Sequence, residues 1–150
     1  KRCSNNQYLY QVSYPKEWFT TYNSQEDECS FFAPYSFVLP PKPNIELVPI
    51  TIKKEEPQNW EQTLKLYENP NDFQNVVTSS NIEINGKAVK KVEAVATGGG
   101  INQKGYAKVS FLVFDAITPL IFTYQQSTPN ESVKDNISVL EEMVKSLKYF

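Results

Sequence analysis

Tyr8-Leu9-Tyr10-Gln11-Val12-Ser13-Tyr14-Pro15-Lys16-Glu17-Trp18-Phe19 alternates like a half-buried strand. Tyr8, Tyr10, Val12 and Tyr14 fall on one side, Gln11 and Ser13 on the other. Pro15 has no amide hydrogen to give a sheet ladder, so the strand should end at Tyr14. Trp18 follows as a large apolar anchor at the bend. Phe19 to Tyr22 then reads as a second short strand on the same hairpin-like start. The rest of the chain supplies further strands and two helices able to close over that anchor.

Outward from this stretch, 150 residues make one domain, residues 1–150, able to bury close to ~70% of the unfolded surface. Apolar residues are 40% and charged residues 21%, the balance of a globular chain rather than a disordered one. The net charge of −2 argues against an electrostatic nucleic-acid binder. Histidine is absent, which removes the commonest general base, the commonest zinc ligand and every Ser-His or Cys-His pair. No apolar run approaches the ~18 residues of a membrane span. The sequence starts at Lys1 rather than methionine, so a processed form is expected, with any signal or anchor upstream.

Two cysteines, Cys3 and Cys29, suit one disulfide in an exported protein or two reduced thiols in a cytosolic one. The disulfide is the favoured reading, because a cysteine near a free end gains most from being tied down.

Further along, Cys29 to Ala33 is a strand stopped by Pro34. Residues Pro34 to Pro49 hold five prolines and read as an extended connection, with Phe37, Val38 and Leu39 tucked against the body. Ile50 to Lys53 is a strand. A helix follows Glu56-Pro57, with Trp60, Leu64 and Tyr67 as its core stripe, and Asn69-Pro70-Asn71-Asp72 ends it. Ile82 to Ile84 and Lys87 to Val89 flank Asn85-Gly86, a strong hairpin signal, and the second strand can continue through Val92, Ala94 and Ala96. Gly98-Gly99-Gly100 reads as a mobile tip. Tyr106 to Phe114 is apolar on both sides, hence a central strand, and Leu120 to Gln125 returns beside it. Thr128-Pro129-Asn130-Glu131 has capping-box spacing and should open a last helix carrying Val133, Ile137, Leu140, Val144 and Leu147. Together these give an α+β fold with an antiparallel sheet. Trp18 and Trp60 are both expected in the core.

Tyr10-Gln11-Val12-Ser13-Tyr14-Pro15-Lys16-Glu17-Trp18 resembles the opening of the PsbP-like superfamily, which includes the Ran-binding yeast protein Mog and many small bacterial lipoproteins or membrane-tethered domains. The closing part is similar too, from Leu120-Ile121-Phe122-Thr123-Tyr124 to Met143-Val144-Lys145-Ser146-Leu147. The resemblance implies an antiparallel β-sheet covered by two main helices, a Mog/PsbP-like α/β/α sandwich. Members bind proteins, photosystem II or a small GTPase. Metal sites proposed for the photosynthetic members depend partly on histidine, which this sequence lacks, so no functional residue is carried over.

Other clusters have plain readings. Glu26-Asp27-Glu28 lacks the spaced ligands of a calcium loop, and Asn69-Pro70-Asn71-Asp72 is a turn. Gly98-Gly99-Gly100 opens no helix and lacks the Gly-Lys-Ser/Thr ending of a phosphate loop. Lys87, Lys90, Lys91, Lys104 and Lys108 could gather on one exposed face for an anionic partner, or simply guard edges against aggregation. Ser146 and Lys148, two apart on a helix, do not face one another. The sequons at Asn130 and Asn136 matter only if the source glycosylates exported proteins.

The expected function is therefore a non-catalytic, secreted or membrane-anchored, monomeric domain that binds another protein of unknown identity. No nucleic acid, cofactor or metal is expected, and membrane attachment only through an N-terminal anchor outside these residues. The alternative is a small-molecule carrier with a Tyr- and Phe-lined pocket between sheet and helix. An enzyme would have to work with carboxylates alone. The expected partner contact is Phe37, Val38 and Leu39, in a segment its prolines pre-order.

Overall fold

In a computed structural model, residues 1–39 and 48–150 are described. Among these residues ten strands form two antiparallel sheets. The small sheet runs β1 (Arg2–Asn5), β2 (Tyr10–Ser13), β10 (Lys148–Tyr149). The large sheet has the order β3 (Phe19–Thr21), β4 (Phe31–Ala33), β5 (Ile50–Lys54), β9 (Leu120–Gln125), β8 (Ala107–Val113), β7 (Lys87–Ala96), β6 (Gln74–Ile84). Two helices, α1 (Trp60–Glu68) and α2 (Val133–Ser146), complete it. No helix among the described residues is long and apolar enough to cross a membrane.

The helices cover opposite faces of the large sheet, as alternation along β8 requires. Val109, Phe111 and Val113 face α2 and the small sheet, packing with Tyr10, Val12, Phe122, Tyr124, Leu140 and Met143. Leu112 faces the other way, with Ile121 and Val92, under Trp60, Leu64 and Tyr67 of α1. Trp18 and Trp60 are each 7% exposed and belong to these two clusters. β8 is central, as its two apolar faces predict.

Several boundaries differ from the expectation. The opening strand starts at Tyr10, not Tyr8, because Leu9 adopts φ +58, a left-handed turn that a strand cannot contain. Phe19 does not share a hairpin with it. A turn at Pro15, closed by the Trp18 amide donating to the Pro15 carbonyl at 3.0 Å, sends β3 to pair with β4 in the other sheet. The strand β1 went unread, and β6 begins eight residues before Ile82. The capping-box bond forms, the Thr128 amide donating to Glu131 Oε1 at 2.8 Å, yet it closes a separate turn, and α2 begins at Val133. Glu131 is drawn back there by Tyr124, whose hydroxyl also donates to it.

The glycine tip is pinned rather than loose. The Thr97 amide donates to the Phe73 carbonyl at 3.1 Å, and Thr97 Oγ1 donates to the Asp72 carbonyl at 2.6 Å. A Cβ on Gly99 would stand 2.6 Å from that same carbonyl oxygen, so the close approach admits only glycine.

Candidate functional site

The sequence-chosen contact splits. Phe37 and Leu39 pack with Phe31, Ala33 and Val48 in a small satellite cluster, while Val38 stands 91% exposed. The remainder of the connection, residues 40–47, lies outside the described residues. Cys3 and Cys29 are joined, with Cα atoms 5.7 Å apart, which fastens β1 to the chain entering β4.

Lys87, Lys90 and Lys91 do not gather on one face but pair separately with acidic partners. Strand alternation sends Lys90 to Glu68 of α1 at 3.2 Å and Lys91 to Glu141 of α2 at 3.2 Å. Lys87 pairs with Asp115 at 2.9 Å. Burial works against the Asp115 carboxylate, but the Thr118 amide, Lys87 and the Ile117 amide together hold its pKa below the usual value. Glu26 and Asp27 form part of a one-turn 3-10 helix, Gln25–Asp27. No group of three metal-ligating side chains occurs among the described residues. The Asn136 side chain is buried at 6% exposure, whereas Asn130 is exposed.

The centre of the layer between the large sheet and α2 is filled, and a hollow of about 230 Å³ opens at the end of α2, lined by Val89, Val113, Val144, Leu147 and Tyr149. Phe111, Phe122, Tyr124, Leu140 and Met143 are each at most 1% exposed. Another concavity lies on the other face, where α1 leaves β5 and β9 bare. The ladders there set Thr51 beside Thr123 and Thr123 beside Ser110, with Gln125 beside Lys108 one step along. The neighbouring row, Ile121 and Leu112, is covered by Trp60. The result is a half-open cleft of about 220 Å³, floored by hydroxyls, with Lys53, Lys54 and Lys108 on its lining. Tyr67 is one wall, with the Lys108 ammonium 5.2 Å from its ring centre. Burial, then Glu55, pushes the Tyr67 pKa up against an opposing hydrogen bond with Thr123, so it is a neutral phenol near pH 7. Across from it stand Tyr8, Glu26, Asp27 and Ser30, and Lys54 lies 4.7 Å from the Tyr8 ring centre. Sequence reading missed this cleft. Its polar residues alternate with core residues on β5 and β9, and only the ladder register brings them together.

Cyanobacterial PsbP (CyanoP) from Synechocystis sp. PCC 6803, solved in solution, superposes on 100% of this chain and 92% of its own, with TM-score 0.58 and 10% identity. The fold is PsbP-like. A protein from Bacteroides thetaiotaomicron VPI-5482 matches 95% of this chain and 45% of its own at 13% identity, but its TM-score of 0.47 carries no argument. No family model matches the sequence, and no curated protein does. At this identity the PsbP-like likeness establishes the arrangement of strands and helices, and no site residue follows from it.

Proposed function

We propose that this chain is a single non-catalytic PsbP-like domain, exported and either secreted or membrane-anchored, that binds another protein. The observation that carries the reading is Val38, held 91% exposed between two anchored neighbours, Phe37 and Leu39. An apolar side chain presented on a fixed base loses little entropy when a partner covers it. The disulfide fits an oxidising compartment, and the lack of histidine in the whole sequence disfavours acid–base catalysis. Among the described residues, the layer between sheet and α2 holds only an end hollow of about 230 Å³, small for a carrier cavity.

The purified chain is expected to be a monomer of 17.2 kDa by light scattering. In the exported fraction of its own source it should travel at a larger mass. Val38→Asp should release it from that complex without changing its melting temperature. Wild-type protein travelling at its own mass in that fraction would overturn the reading.

A further inference from the structure

The bare half of the α1 face is more than a solvated surface. It is concave, walled on one side by Tyr67 and on the other by Tyr8, with the apolar Phe31 and Val48 on its lining. Within it, the Thr51 hydroxyl and the Lys53 ammonium make no hydrogen bond or ion pair to the described residues, while Lys54 is engaged by Glu56 at 3.3 Å. Thr51 and Lys53 are two apart on β5 and so face the same way. Across the cleft, beside Tyr8, Glu26 and Asp27 carry the negative charge of the lining, Asp27 accepting a hydrogen bond from Ser24 at 3.1 Å. The unspent donors thus lie on the floor side, and their charge is positive.

We propose that this cleft binds a small cyclic carboxylate, its anionic head on Lys53 and Thr51 and its ring against Tyr67. A carboxylate accepts from an ammonium and a hydroxyl together, and such charge-assisted bonds are the stronger kind. A flat ring matches a narrow slot with an aromatic wall. A volume of about 220 Å³ suits a single-ring molecule rather than a drug-sized one. The cleft shares Phe31 and Val48 with the cluster that anchors Phe37 and Leu39, but Val38 itself is not on its lining, and the proposal does not rest on the protein-binding role.

The test titrates the intact, oxidised protein with 4-hydroxybenzoate and follows backbone amides by two-dimensional NMR. Saturable shifts are expected at residues 51–54 and 123–125. Lys53→Met should weaken the affinity about ten-fold with the rest of the spectrum intact. The neutral analogue 4-hydroxybenzamide should fail on the wild type, which checks the charge requirement without any mutation, and Val38→Asp should bind as the wild type does. The proposal is overturned by an absence of saturable shifts, by equal binding of the amide, or by inorganic phosphate moving the same amides as strongly.

Discussion

Asn5 is fully buried and uses all of its side-chain amide. Its Nδ2 donates to the Glu26 and Glu28 carbonyls at 3.0 and 2.8 Å, and its Oδ1 accepts from the Gln7 and Tyr8 amides at 3.0 and 2.7 Å. It therefore holds two turns together. Asn5→Ala would leave four backbone groups short of a partner and should cost about 2–4 kcal/mol in denaturant unfolding. Nothing in the sequence marked Asn5, because a buried amide has no periodicity and resembles any polar loop residue. Glu131 gives a second expectation. Burial opposes its charge, but Tyr124, Ser127 and Thr128 donate to it and hold its pKa below the usual carboxylate range. A depressed carboxylate contributes stability that is present above the unfolded pKa and lost as pH falls through the folded one. Glu131→Gln should therefore flatten the loss of stability on acidification below about pH 4.5, seen as melting temperatures that converge with the wild type at low pH. Equal slopes in both proteins would refute that role.

At the scale of elements, the Asn85-Gly86 turn was legible, and the structure adds a second use for it. Asn85 takes φ +52 and Gly86 φ +78, the left-handed pair of a tight hairpin. The Asn85 Nδ2 also donates to the Lys145 carbonyl at 2.6 Å, near the end of α2, where a helix leaves carbonyls unpartnered. Asn85→Ala should lose both the left-handed preference and this cap, at about 1–2 kcal/mol. Asn85→Gly should recover only the backbone part, a contrast measurable in one set of urea titrations. The first half of β6 was illegible for a different reason. It is an edge strand whose residues from Thr78 to Asn81 are exposed and polar, so no alternation marks it. Phe19 to Thr21 alternates well enough to be read as a strand, but alternation does not say which sheet a strand joins.

For the whole molecule, the α+β class, the central β8, the two helical stripes and both buried tryptophans were all legible, since each rests on hydrophobic period. The division into two sheets and the cleft were not, because they depend on which strands pair. The joint between the sheets is partly covalent. The Cys3–Cys29 bond spans a sequence separation of 26 and in the chain-entropy view stabilises by about 3.5 kcal/mol. Unfolded, unreduced protein should show no free thiol on titration, and reduction should lower the denaturant midpoint without changing the native strand content. Two titratable thiols in the unreduced protein would contradict the joint.

The small sheet also sets an order in time. β2 pairs on one side with β1 and on the other with β10, placing Tyr10 beside Tyr149 and Gln11 beside Lys148. Tyr149 then donates its hydroxyl to the Thr118 carbonyl at 2.9 Å. A ribosome releasing this chain from the amino end has produced β1 and β2 long before their last neighbour exists. The β8–β9 hairpin can zip early, whereas closing a loop of well over a hundred residues comes late and carries a larger entropic cost. Until residues 148 and 149 emerge, Tyr10 lacks its neighbour across the ladder, so the small sheet is the last part of the molecule to close.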